Sequence, residues 1–229
     1  MVLNAICYVV RGGIAWSLLP REYPTRKSVY QYLRQWRIEG TWQRIHDHLR
    51  GDGRQAAGRH RPPSAAILDS QSVKTTAGGG AERGYEAGQQ IAGRKRPVLV
   101  DGLGLVVGAV VHSAGLQASE GARLVLAQGR SKFSRLRPLW ADSLYERTGL
   151  CSWVWQLRAR RKLRLESVRR PHTKDGFKVL PRRWVVERTL GWLMRFRRLS
   201  KDYEYLPVTR EVMSYLAMIR LMLRRLEQV

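Results

Sequence analysis

Three acidic residues combine types and positions that suit metal-assisted chemistry. Asp69 and Asp142 each follow a short apolar run, as expected for residues at the ends of buried strands. Glu187 lies in a stretch with helix-like spacing. Carboxylate oxygens are ligands that Mg²⁺ prefers, and two such ions can serve the attacking and leaving oxygens of a phosphodiester displacement. The three residues therefore predict an acidic metal site that cuts or joins a nucleic-acid backbone.

The charge of the chain points to the same class of substrate. The 229 residues include 42 Lys and Arg against 18 Asp and Glu, a net charge of +24. Such an excess favours binding to phosphate backbones. No segment approaches the roughly 18 consecutive apolar residues of a membrane-spanning helix, so we expect no membrane partner. The cysteines, Cys7 and Cys151, have no paired spacing, which indicates a reducing, cytoplasmic setting.

Three segments follow from the pattern along the chain. Residues 1–50 read as three short helices, which suits a DNA-binding module of helix-turn-helix style or, equally, a helical cap on the catalytic core. The stretch 51–63 is rich in Gly, Arg and Pro and is predicted to be a linker. The rest, 64–229, is predicted to be the catalytic domain.

The catalytic segment mixes strands and helices. Strands are predicted at 65–69, 97–100, 105–111, 138–142 and 162–168, and helices at 120–127, 145–158 and 182–198, with a final helix capped by Thr209. A hairpin followed by alternating helix and strand predicts an α/β fold, in which a mixed sheet is covered by helices.

This strand order bears directly on the acidic residues. If the strands that end at Asp69 and Asp142 are parallel neighbours, both carboxylates reach one sheet edge. Two adjacent carboxylates repel unless a cation neutralises them, which suits Mg²⁺. Arg183, Glu187 and Gly191 share a helical face, so Arg183 could contact a phosphate or hold Glu187. The alternative is a surface Arg–Glu pair, with Gly191 packed against a neighbour.

Several sequence blocks resemble bacterial insertion-sequence transposases of the DDE class, IS4/IS5 group. They are Ala66-Ile67-Leu68-Asp69-Ser70-Gln71-Ser72-Val73-Lys74-Thr75, Gly84-Tyr85-Glu86-Ala87-Gly88, Gly93-Arg94-Lys95-Arg96, Arg182-Arg183-Trp184-Val185-Val186-Glu187-Arg188-Thr189 and Asp202-Tyr203-Glu204. The resemblance implies an RNase H-like fold with Asp69, Asp142 and Glu187 as the metal-binding triad. It also implies two Mg²⁺ ions per site, replaceable by Mn²⁺, cleavage at terminal inverted repeats, strand transfer to target DNA and a homodimer.

The chain also departs from that family's pattern. Glu86 stands where the family has Asp, Pro97 replaces a common histidine, and Ser143-Leu144 replaces a glycine pair. Family members usually begin earlier, which predicts a truncated start. The alternative function is therefore a decayed or truncated copy that only binds DNA. Predicted DNA contacts are Lys74, Arg94, Lys95, Arg96, Arg182, Arg183, Arg188, Arg195 and Arg198.

Overall fold

The computed structural model describes residues 1–80, 82–129, 132, 134–156, 163–168 and 181–228. Its helices are α1 (Val2–Gly12), α2 (Arg26–Ile38), α3 (Thr41–Ala56), α4 (Ala118–Gly129), α5 (Leu150–Gln156), α6 (Arg183–Met194), α7 (Arg197–Ser200) and α8 (Pro207–Leu226), with 3₁₀ helices at Trp16–Leu18 and Ser143–Thr148. Its strands are β1 (Ala66–Lys74), β2 (Gly84–Glu86), β3 (Ile91–Asp101), β4 (Val106–Ala109), β5 (His112–Ser113), β6 (Pro138–Asp142) and β7 (Arg164–Val168).

The strands form one mixed sheet with the order β2-β3-β1-β6-β7, and β4 and β5 pair with β3. Strand β1 runs antiparallel to β3 and parallel to β6, and β6 runs parallel to β7. The predicted α/β class with a mixed sheet is therefore confirmed. Strand β1 has a partner on each side, which makes it the interior strand from which the site is built.

Helices cover both faces of this sheet. Alternate residues of a strand point to opposite faces, and β1 follows this rule. Ile67 joins an apolar core with α1–α3, α6 and α8, whereas Leu68 joins a second core with α4 and α5. We call these faces the α6 face and the α4 face. The N-terminal helices thus share an apolar core with the sheet, through residues such as Leu33 and Trp42.

Helix α3 extends beyond the predicted boundary at residue 50, so the first part of the predicted linker is helical. Two contacts explain the extension. The Arg61 guanidinium folds back over the helix. It lies so close to Gly51 that a Cβ there would be 2.6 Å from Arg61 Nη2. Arg54 forms an ion pair with the fully buried Asp101, which fixes the last turn of α3 to the turn after β3.

The other departures from the predicted elements are local. Helix α8 begins at Pro207 rather than after Thr209, because proline suits the first turn of a helix. The predicted helix 145–158 is instead a 3₁₀ helix followed by α5, and Gly149 separates them at φ 66°. Residues 157–162 and 169–180, which include the end of that predicted helix and the first residue of the predicted strand 162–168, lie outside the described residues. Within the described chain, no helix is long and apolar enough to cross a bilayer.

Candidate active site

The register of β1 and β6 brings the two aspartates to one edge of the sheet. These parallel strands pair Ile67 with Trp140, and Asp69 and Asp142 each lie two residues further along. Ile67 and Trp140 both pack on the α6 face. Because side chains alternate along a strand, Asp69 and Asp142 belong to the same face. The two aspartates therefore come together as predicted, and Asp142 ends β6. Asp69 does not end its strand, because β1 continues past the predicted end at residue 69 to Lys74, where it still pairs with β3.

Helix α6 carries the glutamate to this edge. Its Val185, Val186 and Leu193 pack into the apolar core on the α6 face. Arg183, in the first turn, then reaches Asp142, with 2.6 Å between Nη1 and Oδ2. Its Nη2 lies 3.7 Å from Glu187 Oε1, one helical turn along. We call Asp69, Asp142, Glu187 and Arg183 together the carboxylate cluster.

Asp69 is held in place and electrostatically coupled to the rest of the cluster. Its Oδ1 accepts a hydrogen bond of 2.8 Å from the backbone N–H of Ser70. Burial raises the pKa of Asp69, the Ser70 N–H and Arg183 lower it, and the negative charges of Asp142 and Glu187 raise it further. The net rise means that the neighbouring positive charge does not fully compensate burial and repulsion.

Asp142 is oriented by the turn that follows it. It caps the 3₁₀ helix, and its Oδ1 accepts hydrogen bonds from Ser143 Oγ at 3.0 Å and from the Leu144 N–H at 3.3 Å. Its Oδ2 is left for Arg183. Exposure rises from the Asp142 side chain, at 23%, to that of Glu187, at 47%. The cluster is thus accessible to solvent and most open at Glu187.

Tyr145 is a neighbour that the sequence did not reveal. The 3₁₀ helix places this buried side chain close to Asp69 and Asp142. Burial raises the pKa of Tyr145 to about 12, and the charges of Asp69 and Asp142 act in the same direction. The ring therefore stays a neutral phenol beside two carboxylates. The only signal was its position shortly after Asp142, since a 3₁₀ turn leaves no periodic pattern to read.

The cluster has ligands of the right chemistry for a hard cation, but not a ready-made cage. Its donors are all carboxylate oxygens, which suit Mg²⁺, and two of the three carboxylates face the Arg183 guanidinium. Among the described residues, no group of three or more His, Cys, Asp or Glu side chains is arranged to hold a metal ion. Arg183 is the cation that binds Asp142 in this structure.

Comparison with known families explains this combination of strand ends and helix. A family model of the transposase DDE domain matches residues 60–222, and a model of IS4/5-family transposases matches residues 1–46. This chain belongs to the DDE transposases. The resemblance seen in the sequence blocks is thereby confirmed, and the mixed sheet with its helices is consistent with the RNase H-like fold. No curated protein and no solved structure matches the chain.

Three of the basic residues predicted to contact DNA are exposed in this transposase: Lys74 at the end of β1, Arg182 just before α6 and Arg195 just after it. Arg182 lies next to the carboxylate cluster. Its guanidinium stacks 4.3 Å from the centroid of the Trp140 ring, two residues before Asp142 on β6. Its φ of 71° is rare for a residue with a side chain and marks strain at the entry to α6.

Four other predicted contacts are buried. Arg94 donates to Asp202, Glu204 and Tyr205; Arg96 donates to Gln71 and Ser214; Arg198 donates to Glu204 and Ile14; and Lys95 pairs with Glu86. Arg94 and Arg96 are each 1% exposed. A phosphate could reach such groups only after the surrounding structure opened. These side chains stabilise the transposase fold and do not belong to its exposed basic surface.

Arg188 occupies an intermediate position. Its guanidinium lies between two rings on its own helix, 4.4 Å from the centroid of Trp184 and 4.5 Å from that of Trp192. It also donates a hydrogen bond of 3.2 Å to the Leu103 carbonyl oxygen. Arg188, Trp184 and Leu103 border a cavity of about 440 Å³ between α3, α6, α8 and the turn after β3. Cation–π contacts with Trp184 and Trp192 thus hold the Arg188 guanidinium against its own helix.

Gly191 settles one alternative raised by the sequence. Among the residues that the structure describes, apart from the two chain neighbours and the backbone of its own helix, no heavy atom lies within 4 Å of a Cβ built at this position. The interpretation in which Gly191 is needed for packing against a neighbour is therefore wrong. The same helical face that carries Arg183 and Glu187 ends in open space, which leaves room beside the glutamate.

Proposed function

We propose that this transposase cuts DNA at the ends of an insertion sequence and joins the freed 3′-hydroxyl to target DNA. In this proposal Asp69, Asp142 and Glu187 hold Mg²⁺, two ions per site, with Mn²⁺ as a substitute. One observation carries it. Two parallel strands and a helix bring three carboxylates together at a site open to solvent, and two of them, Asp142 and Glu187, face the Arg183 guanidinium.

Both reactions balance without an external reagent. In cleavage, the oxygen of water forms a bond to phosphorus, the bond between phosphorus and O3′ breaks, and O3′ leaves with a proton as the free hydroxyl. In joining, that hydroxyl attacks a phosphate of the target, where another bond between phosphorus and O3′ breaks. Divalent ions at the site would polarise the phosphate and favour ionisation of the attacking oxygen.

The residues of the chain position these groups. Asp69 and Asp142 are fixed on rigid strands, and the Ser70 and Leu144 N–H groups restrict their rotation. Precise placement on such elements favours in-line displacement, since small displacements of catalytic groups reduce rates strongly. Glu187 is the more exposed ligand. It therefore completes the proposed set on the side from which a DNA strand approaches.

The proposed substrate is double-stranded DNA, both the terminal inverted repeats and the target. The net charge of +24 supports this partner, as do the exposed side chains of Lys74, Arg182 and Arg195. Arg188, at the rim of the cavity, is a further candidate. We propose that the N-terminal helices 1–50 contribute to DNA binding and that two protomers act together, since joining requires two ends.

A strand-cleavage assay tests the proposal. The substrate is duplex DNA that carries the sequences flanking the gene, with Mg²⁺ or Mn²⁺. We expect metal-dependent nicks at the repeat ends with the wild type and none with Asp142→Asn or Glu187→Gln. The matched control is Glu120→Gln, which removes one exposed carboxylate from α4, the helix on the opposite face of the sheet. This control should cut like the wild type.

Three other results would each be informative. Equal DNA binding by all variants with no cleavage would contradict the catalytic proposal and favour a copy that only binds DNA. Cleavage that ignores the repeat ends and gives no joined product would indicate a plain nuclease. Cleavage retained in Asp142→Asn would remove that residue from the active site.

A further inference from the structure

The positive charge within the carboxylate cluster comes from the chain itself. The two terminal nitrogens of Arg183 face two different carboxylates, at 2.6 Å from Asp142 Oδ2 and 3.7 Å from Glu187 Oε1. The Arg183 side chain is only 8% exposed, less than either carboxylate that it meets. The guanidinium is therefore enclosed by its partners rather than extended into solvent.

The helix does not hold Arg183 in this position; the carboxylates do. Arg183 is the first residue of α6, whose first turn contains no acidic residue. The N-terminus of a helix carries a partial positive charge, which disfavours a cation there. The strained backbone of Arg182 immediately precedes it. Removal of the negative partners would thus leave the guanidinium in an unfavourable place and free to take another anion.

Charge balance makes Arg183 a competitor of a divalent ion. With Arg183 in place the cluster carries a formal charge of −2, and without it −3, since it contains three carboxylates and one guanidinium. A dication that binds Asp142 and Glu187 would lie beside the oxygens that now face Arg183. Two cations at one carboxylate repel strongly in a partly buried setting. The guanidinium and a dication therefore compete for the cluster, and each binds it more tightly when the other is absent.

We propose that Arg183 is an internal counter-cation. A divalent ion displaces its guanidinium from Asp142, and the displaced guanidinium then binds a DNA phosphate. The inference rests on the proposed function, since it takes the cluster to be a metal site. A phosphate suits the displaced group because guanidinium binds phosphate oxygens in a two-pronged manner. Metal binding thereby frees Arg183 for a DNA phosphate, and phosphate binding to Arg183 frees the carboxylates for the metal. Linkage then requires that DNA strengthen metal binding by the same factor as metal strengthens DNA binding.

Metal binding, rather than strand cleavage, is the direct test. Free Mn²⁺ is measured by electron paramagnetic resonance for the wild type and Arg183→Gln, with and without duplex DNA that carries the flanking sequences of the gene. Without DNA, Arg183→Gln should bind Mn²⁺ about tenfold more tightly, since one competing charge is gone. DNA should strengthen binding by the wild type several-fold and have little effect on the variant.

Two controls separate this effect from general electrostatics and from misfolding. Arg34→Gln removes one positive charge from an exposed site on α2 and should change the Mn²⁺ affinity less than about twofold. Thermal unfolding without metal should show Arg183→Gln to be folded but less stable than the wild type, because its carboxylates repel. Mn²⁺ should then raise its midpoint more than that of the wild type.

The outcomes distinguish this inference from the function on which it rests. If the wild type binds Mn²⁺, Asp142→Asn does not, and Arg183→Gln binds no more tightly than the wild type, the counter-cation role is overturned and the metal site stands. Weaker binding by a folded Arg183→Gln would overturn it as well, since Arg183 would then support the ligands. If no protein binds Mn²⁺ with or without DNA, the proposed metal-dependent function fails, and this inference with it.

Discussion

Two groups of charged residues in this transposase use the same side chains in opposite ways. The carboxylate cluster has three acids for one arginine. The second group, which we call the arginine network, has three arginines for two acids: Arg94, Arg198, Arg210, Asp202 and Glu204. The side chains of the network are at most 6% exposed, whereas that of Glu187 in the cluster is 47% exposed. The two groups thus differ in their charge balance and in how deeply their side chains are buried.

The network satisfies its charges internally. Arg94 Nη1 lies 3.2 Å from Asp202 Oδ2, and Arg198 Nε lies 2.7 Å from Glu204 Oε1. Arg210 Nη1 donates to the backbone carbonyls of Arg198 and Lys201, at 2.6 and 2.8 Å. Buried charges persist only when paired and hydrogen-bonded. A group of this kind fixes the fold, while an open group with an excess of one sign retains capacity for a ligand.

The largest effect is expected where the network loses an acid. Asp202→Ala leaves Arg94 without its carboxylate and removes the acceptor of the Glu204 N–H, at 3.0 Å. Breaking a buried ion pair from one side costs about 3–5 kcal/mol of unfolding free energy. Urea denaturation measures the loss, with Glu227→Ala at an exposed position as the control, expected within about 0.5 kcal/mol. A loss below about 1 kcal/mol would contradict the structural role of the network.

Glu211 offers an intermediate case, a partly buried carboxylate that accepts a backbone hydrogen bond, from Val111 N–H at 2.9 Å. Burial raises its pKa from 4.5 to about 7, against the lowering effect of the Val111 N–H. The folded state therefore holds the proton more tightly than the unfolded state. The contribution of Glu211 to the free energy of unfolding should therefore fall as pH rises from 4.5 to about 7 and should change no further above that.

Glu211→Gln removes this titration and keeps an acceptor for Val111 N–H. Relative to the wild type, the variant should gain up to about 3 kcal/mol between about pH 5 and pH 8. Urea denaturation at several pH values gives the difference. Other groups, such as His46 with its pKa lowered to about 4, titrate alike in both proteins and cancel. Parallel pH profiles for the two proteins would show that Glu211 is not the titrating group.

The comparison also shows what the sequence could and could not reveal. Apolar runs that end in an acid predicted β6 with its observed bounds, and they predicted that Asp69 and Asp142 meet. The burial of Arg94 and Arg96 was missed. Both lie on β3, an interior strand that is covered on both faces, where a buried arginine gives the same letter pattern as an exposed one. What distinguishes them is their distant partners: Asp202 lies 108 residues from Arg94, and Ser214 lies 118 residues from Arg96.

The position of Arg183 was predicted only in part. Its spacing from Glu187 places both on one helical face, which a sequence reveals. Its contact with Asp142 depends on how α6 crosses the sheet, which is set by the packing of Val185, Val186 and Leu193. Such tertiary contacts are not encoded in local spacing. The metal-binding role of the triad stays a prediction, because proximity alone does not establish a ligand.

A smaller effect on stability is expected in the carboxylate cluster. Asp142→Asn removes the 2.6 Å contact with Arg183 but also removes repulsion with Asp69. These terms oppose each other, and the side chain is partly exposed, so the unfolding free energy should change by no more than about 1 kcal/mol. Urea denaturation beside Asp202→Ala measures both under one condition. A loss of 3 kcal/mol or more, by the same scale of about 3–5 kcal/mol for buried pairs, would show that the cluster also fixes the fold.

The smallest effect concerns single phosphate contacts, where burial decides which arginines count. Arg195 is exposed and Arg96 is 1% exposed, although both were predicted to bind DNA. Each phosphate contact contributes about −0.9 to the slope of log K against log salt. Fluorescence anisotropy over a range of salt should therefore show a slope shallower by about 0.9 for Arg195→Gln. A folded Arg96→Gln, checked by circular dichroism, should keep the wild-type slope, because its guanidinium faces Gln71 and Ser214 rather than solvent. Equal reductions in both variants would mean that DNA binding opens the sheet around β3, and the contrast between buried and exposed arginines would then fail.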